Sequence, residues 1–360
     1  MIYFILVLLA LYFLRADYRL TGFHADYAAP NTVLPVKGVF ISLVFLSHFC
    51  NGGYGVALSG PADATYGAVQ RFLGQMIVVP FLFYSGFGVV ERIRAAGDAY
   101  LRTFVVKRLV KTVVLFDLAV ALYMVVRHVV SGASFPPVRM LLNFLGWTSA
   151  GNSNWYIFTI VLLYFATYLS FVAFRGLEGR RRDLCSVAGV TVLAFLLVGA
   201  LSSCRPDYVY NTVFAFVAGC WFSLFRPVVE EILLARLRTW LFGLGAAVAG
   251  TVLLNPFRGT TACCELLAVV FAAGIVLLTA RVRSNSRILA FAGRHLFSLY
   301  ILQRLPMLLL KGTTVAQNRY VYVLLCGAAT VVLAVAFDFV TARVWDLLEK
   351  GWTRLVRARA

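Results

Sequence analysis

Lys37 and His48 stand eleven positions apart in the stretch VKGVFISLVFLSHF, whose other side chains are nearly all apolar. On a helix eleven residues are close to three whole turns and rise about 16 Å, so the two side chains point to one face. A neutral imidazole, with a pKa of about 6.5, is the usual group to take a proton from a hydroxyl. An ionisable side chain inside a membrane-type run is costly enough to be a functional candidate by default. The plainer alternatives are a lysine that snorkels to the interface and a histidine hydrogen-bonded between helices.

A second group of charges lies further on. Arg108 and Lys111 are three residues apart and share a helix face. They fall where an apolar run begins, so the N-terminal dipole of that helix would favour an anion beside them. Lys107 and Arg102 add positive field. Asp117 is the most isolated acid in the chain and lies inside an apolar run. It is a candidate to orient a base or to pair with Lys111, Arg127 or His48. Asp338 and Glu265 also lie in or beside apolar runs, with no partner that the sequence names. His24 and His295 fall in or beside connections, and His128 near the end of its run.

The elements that must hold these groups are membrane helices. The hydrophobic share is 61% and the charged share 13% of 360 residues, about half the charge of a soluble domain. Apolar runs near or above the length that crosses about 30 Å of hydrocarbon recur along the chain, and in lipid such runs must be helical. The expected fold is an all-α polytopic transmembrane bundle of ten to eleven spans, near 2–14, 37–50, 73–91, 109–130, 154–174, 184–203, 209–225, 240–255, 265–280, 294–311 and 321–343. The first is short and reads as a retained helix, because no basic residue precedes it and no small-residue cleavage site follows. The tenth is interrupted by Arg304 and Pro306.

Most of the 33 Lys and Arg residues fall on alternate connections. The positive-inside rule places that side in the cytoplasm, with the N-terminus outside and the C-terminus inside. The net charge of +18 follows from this asymmetry and points to a bilayer, not to nucleic acid. The seven cysteines show no metal-site spacing, and a bridge from Cys204 to Cys263 or Cys264 is open on the outer face. No metal ligand set is visible, and the oligomeric state is not readable. The chain divides into residues 1–30, an extra N-terminal helix and connection; 31–343, the main membrane domain; and 344–360, a basic tail.

Six segments in order resemble the membrane acyltransferase-3 family: KGVFISLVFLSHF with its basic residue, ten positions and histidine; FLFYSGFGVVERIR; YLRTFVVKRLVKTVV; NSNWYIFTIVLLYF; YNTVFAFVAGCWF; and HLFSLYILQ. The likeness covers roughly residues 31–343. Lysine replaces the commoner arginine at 37, and Lys111 replaces a second arginine after Arg108; both keep the charge and lose bidentate geometry toward phosphate. Gln303 stands where the family often has a histidine.

The resemblance implies transfer of an acyl group, usually acetyl, from cytoplasmic acyl-CoA to a hydroxyl, often on a sugar outside the membrane. It makes His48 the general base, with transfer direct or through an acyl-histidine, and makes Lys37 part of the same signature; Asp117 is a catalytic candidate from its position alone, as a carboxylate that could orient the base. Arg108, Lys111 and Lys107 would meet the phosphates of acyl-CoA, and Ser85, beside Gly86, would leave room for its pantetheine arm. Trp155 and Tyr156 would stack on a sugar ring or line the acyl path, the alternative being an aromatic belt. Asn154 and Gln303 would bind the acceptor, a carbohydrate or glycolipid, or donate to an oxyanion. The location implied is the cell membrane. A transporter or flippase without chemistry, and an inactive scaffold of a surface-polymer complex, are the competing readings.

Overall fold

The structure, a computed structural model, describes residues 1–50 and 60–358; the side chains of Cys50, Leu348 and residues 350–358 also lie outside the description. The tail residues Lys350, Arg354, Arg357 and Arg359, and residues 51–59 of the expected 51–72 connection, therefore fall there in whole or part. In chain order the helices are α1 Ile2–Phe13, α2 Leu34–Cys50, α3 Pro61–Leu73, α4 Val79–Phe104, α5 Lys111–Ser131, α6 Pro137–Phe144, α7 Trp155–Ala173 and α8 Gly179–Ser202. There follow α9 Phe214–Val229, α10 Leu237–Leu254, α11 Thr261–Arg281, α12 Arg287–Arg294, α13 Leu296–Leu302, α14 Arg304–Leu310 and α15 Arg319–Ala358.

Among the described residues seven helical runs are long and apolar enough to cross a bilayer, and three shorter apolar helices accompany them. The protein is an all-α polytopic bundle, as its composition requires. The run Pro61–Ser131 holds two expected spans in one helical path of 71 residues. That path turns at Gly97, whose φ of 55° places it in the left-handed region that a Cβ disfavours. It then passes through a π-helical stretch, Val105–Val110, directly into α5. Lys111 therefore does not sit at a free helix N-terminus, and the dipole expected to favour an anion there is taken up by the preceding turns. The π turn is also wider than an α turn, which alters the facing of Arg108 and Lys111.

Contacts divide the chain into two compact units. The first comprises residues 1–44, 58–109 and 155–294. Its centre is the crossing of α4 and α9. A Cβ at Gly86 would collide with the Phe216 carbonyl, and one at Gly219 with the Phe83 carbonyl. Helices without a hydrophobic drive between them pack through such small residues. The same device joins α2 to α12, where Gly38 meets the Leu289 carbonyl and Gly293 the Leu34 carbonyl. This fixes the stretch that carries Lys37. Glu265 on α11 accepts from the backbone N–H groups of Val213 and Phe214 at 3.0 and 2.8 Å, so a carboxylate caps the start of α9. Two short strands add the only sheet among the described residues, Ala16–Tyr18 antiparallel to Val282–Ser284. Beside them Arg281, 1% exposed, donates to the carbonyls of Arg19, Leu20 and Leu234. Cys204, Cys263 and Cys264 are free, so the open disulfide does not form.

The second unit comprises residues 45–57, 110–154 and 295–360. Tyr123 on α5 donates to the Ile301 carbonyl at 2.9 Å, and Tyr322 on α15 to the Met307 carbonyl at 2.9 Å. Asp338 on α15 accepts from Ser298 and meets His295 Nδ1 at 2.5 Å. These bonds hold α13 and α14, which part at Gln303. Pro306 is the cause: it lacks the N–H that would have met the Leu302 carbonyl, and its ring crowds that oxygen.

Candidate functional site

In the first unit three expected residues gather. Lys37 on α2 is partly buried and lies within electrostatic reach of the Arg108 guanidinium. Arg108 donates Nε–H to the Tyr100 hydroxyl at 2.9 Å and has the Tyr164 hydroxyl beside it. Tyr164 in turn meets the Ser85 hydroxyl at 2.5 Å. Neither Lys37 nor Arg108 forms an ion pair with a carboxylate among the described residues; Glu91, Asp183, Asp98, Glu230, Asp17 and Asp26 pair instead with Arg94, Arg182, Arg226 and Arg283. Two like charges brought together without a counter-ion make a site for an anion. Lys107 is exposed and apart from this group. Trp155 and Tyr156 open α7 with edge-on ring contacts to each other, to Tyr208 and to Phe81, at centroid distances of 6.1–6.3 Å.

In the second unit His48 is the centre. Its Nε2 lies 3.3 Å from the hydroxyl of Ser153, which is 2% exposed. The Gln303 carboxamide is a hydrogen-bonding neighbour of the ring, and the Arg304 guanidinium is within electrostatic reach. Gln303 is fixed by donating Nε2–H to the Tyr300 carbonyl at 2.9 Å. The loop that presents Ser153 is built by its neighbours. Asn154 donates to the carbonyls of Gly146 and Thr148 at 2.6 and 3.1 Å, and Asn152 accepts from the Ala150 N–H at 3.1 Å. The Asn154 amide is thus spent on the loop.

Lys111 stands 5.3 Å from the Trp345 ring centre. Asp117 is half-buried and its Oδ1 is buried without a hydrogen bond. It pairs with none of Lys111, Arg127 and His48; Arg127 instead reaches the Ala150 carbonyl and the Phe135 ring. Ser153 and Tyr164 are not site candidates on sequence, and Arg304 is legible there only as an interruption of the tenth run. Ser153 lies in the segment NSNWYIF beside Asn154, and only the loop's hydrogen bonds decide which of the two faces the histidine.

Chemically, the second unit offers a base with a buried hydroxyl and a carboxamide around it, and the first offers a cationic pair. Among the described residues no group of His, Cys, Asp and Glu could hold a metal ion. A family model described as an acyltransferase domain matches residues 36–339. No curated protein and no solved structure matches the chain.

Proposed function

The chain belongs to the membrane acyltransferase-3 family, and from that premise we propose that it carries an acyl group, acetyl first, from cytoplasmic acyl-CoA to a hydroxyl of an extracytoplasmic glycan or glycolipid. That it is a multi-pass membrane acyltransferase follows from the family and the helices. Donor, acceptor and the cell membrane as its location are the further step.

The observation that carries the step is His48, held by Ser153 and flanked by Gln303, on the helix that also bears Lys37. In the proposed reaction His48 takes the proton of the acceptor hydroxyl. The oxygen attacks the thioester carbonyl carbon, the carbon–sulfur bond breaks, and the departing CoA thiolate takes the proton back from the imidazolium. Lys37 and Arg108 meet donor phosphates, whose charge supplies the counter-ion that the protein withholds. The positive-inside rule supports a cytoplasmic position for that pair, the side on which acyl-CoA would arrive.

The test uses purified full-length protein in nanodiscs with acetyl-CoA and a glycan extract from the host envelope. Free thiol should appear at a rate that depends on the glycan, with acetyl esters on the product. A transporter would translocate glycan and release no thiol, and that outcome rejects the proposal.

A further inference from the structure

Acyl transfer to a hydroxyl passes through a carbonyl oxygen that gains negative charge, and a fixed N–H donor aimed at that oxygen lowers the barrier. Around His48 the amide donors can be followed one by one. Asn154 Nδ2 donates to the carbonyls of Gly146 and Thr148. The Gln303 carboxamide is engaged by the Tyr300 carbonyl and by the ring itself. On the other side of Ser153 stands Asn152, 1% exposed. Its Oδ1 accepts from the Ala150 N–H at 3.1 Å. A backbone N–H only donates, so the carboxamide cannot be turned round and Nδ2 points away from that bond. Nδ2 is buried and has no hydrogen-bond partner among the described residues, a desolvated donor whose cost an acceptor would remove. The loop fixes it in advance. Ser149 Oγ donates to the Asn152 carbonyl at 2.6 Å and accepts from the Gly151 N–H at 2.9 Å, and Arg127 donates to the Ala150 carbonyl at 3.4 Å. The next residue, Ser153, meets the His48 ring at 3.3 Å, and Arg304 adds positive field there. Asn143 also keeps a buried, unspent Nδ2, but it lies in α6 with Thr148 at its Oδ1.

We propose that Asn152 is the oxyanion donor of the acyl-transfer site, its Nδ2–H donating to the thioester carbonyl oxygen as that oxygen becomes negative. This deepens the acyl-transfer reading and rests on it. When the acceptor oxygen bonds to the carbonyl carbon, the carbonyl π pair moves onto oxygen, and Asn152 meets that charge while His48 holds the acceptor's proton. Re-forming the carbonyl breaks the carbon–sulfur bond and expels the CoA thiolate, which takes the proton from the imidazolium. The sequence offers Asn154 and Gln303 for the donor's part; folding commits both amides elsewhere and leaves one that is buried, oriented and unspent two positions before Asn154.

The experiment uses the full chain in nanodiscs and two readouts. The first is kcat and KM for acetyl-CoA with the envelope glycan extract. The second is the isotope-edited infrared spectrum of bound acetyl-carba(dethia)-CoA labelled with ¹³C at the carbonyl, a ketone with a methylene in place of sulfur that cannot be cleaved. Asn152→Ala should lower kcat by about 10²–10³-fold, the worth of one oxyanion donor, with KM little changed, and should raise the carbonyl stretch of the bound ketone. Asn152→Asp keeps an acceptor for the Ala150 N–H, so it should fold as the wild type does, and as a carboxylate it should show the same two changes. Ser149→Ala loosens the same loop but keeps the donor; it should retain most of kcat and the wild-type stretch. A kcat and a stretch that ignore Asn152 overturn the proposal. So does a kcat loss in Ser149→Ala equal to that in Asn152→Ala, the mark of a purely structural loop, and so does an effect found in Asn143→Ala instead. A stretch that depends on Asn152 in a chain that releases no thiol from acetyl-CoA keeps the donor and loses the transfer reading. Thiol release indifferent to Asn152 does the reverse.

Discussion

Lys37 and Arg108 hold like charges within reach of one another, with no carboxylate paired to either among the described residues. Tyr100 positions the guanidinium of Arg108. For a donor with several phosphates this arrangement makes a sharp prediction. Arg108→Gln should raise the KM for acetyl-CoA by about ten- to a hundredfold, the range for losing a hydrogen bond to a charged group. Lys37→Arg should keep much of the activity and Lys37→Gln should lose it. The exposed pair Arg180 and Arg181 is the control. Equal effects of Arg108→Gln and Arg180→Gln on KM would show that only general positive charge matters.

His48→Ala should lower kcat by about 10²–10⁴-fold while monodisperse protein is retained, because a general base contributes on that scale. Activity in the wild type should also fall as pH drops through the titration of the imidazole, since a protonated base cannot accept. Wild-type turnover in well-folded His48→Ala would leave the histidine as a helix-interface hydrogen bond to Ser153.

The packing of α4 on α9 yields a stability prediction. Gly219→Ala places a methyl against the Phe83 carbonyl, and overpacking of this kind costs about 1–3 kcal/mol. Gly88, which has open space at its Cβ position, should accept alanine within about 0.5 kcal/mol. Thermal loss of monodisperse protein in detergent compares the two. A Gly88→Ala loss as large as that of Gly219→Ala would contradict the crossing.

Orientation is testable by chemistry from outside. A reporter fused after Ala360 should be cytoplasmic, and Ser134→Cys should react with an impermeant thiol reagent on whole cells. Ser134 is exposed, whereas Asn152 is 1% exposed and a poor place for such a probe. A shielded Ser134→Cys together with an outward tail would invert the charge argument and the donor-inside scheme with it.

Hydrophobic runs carried most of the fold. All eleven expected spans fall on helices of the structure, because an apolar run in lipid has no other way to satisfy its backbone. What the runs did not disclose were their joints. The sequence over 92–108 reads as a connection; it is instead part of a continuous helical path bent at Gly97 and widened at Val105–Val110. Isolated glycine is ambiguous in a helix, and a π turn leaves no compositional trace. At the site, His48 was legible because a histidine deep in an apolar run is rare and costly. Ser153 was not, because its role depends on a loop whose shape is set by Asn152 and Asn154. Asp338 and Glu265 had no nameable partner for the same reason: theirs are Ser298 and His295, and a helix N-terminus, brought together only by folding.

The break at Gln303 has a consequence for how the protein is made. Leu296–Leu310 carries Gln303, Arg304 and a proline that splits it into two seven-residue pieces. An arginine in mid-span costs about 2.5–3.5 kcal/mol on the insertion scale, so this segment is a poor candidate to leave the translocon by itself. Of its anchors, Tyr123 on α5 is already made, whereas Tyr322 and Asp338 belong to α15 and are synthesised afterwards. The bonds that fix α13 and α14 are complete only once α15 has been made, so the carboxamide beside His48 is secured among the last parts of the protein to be built.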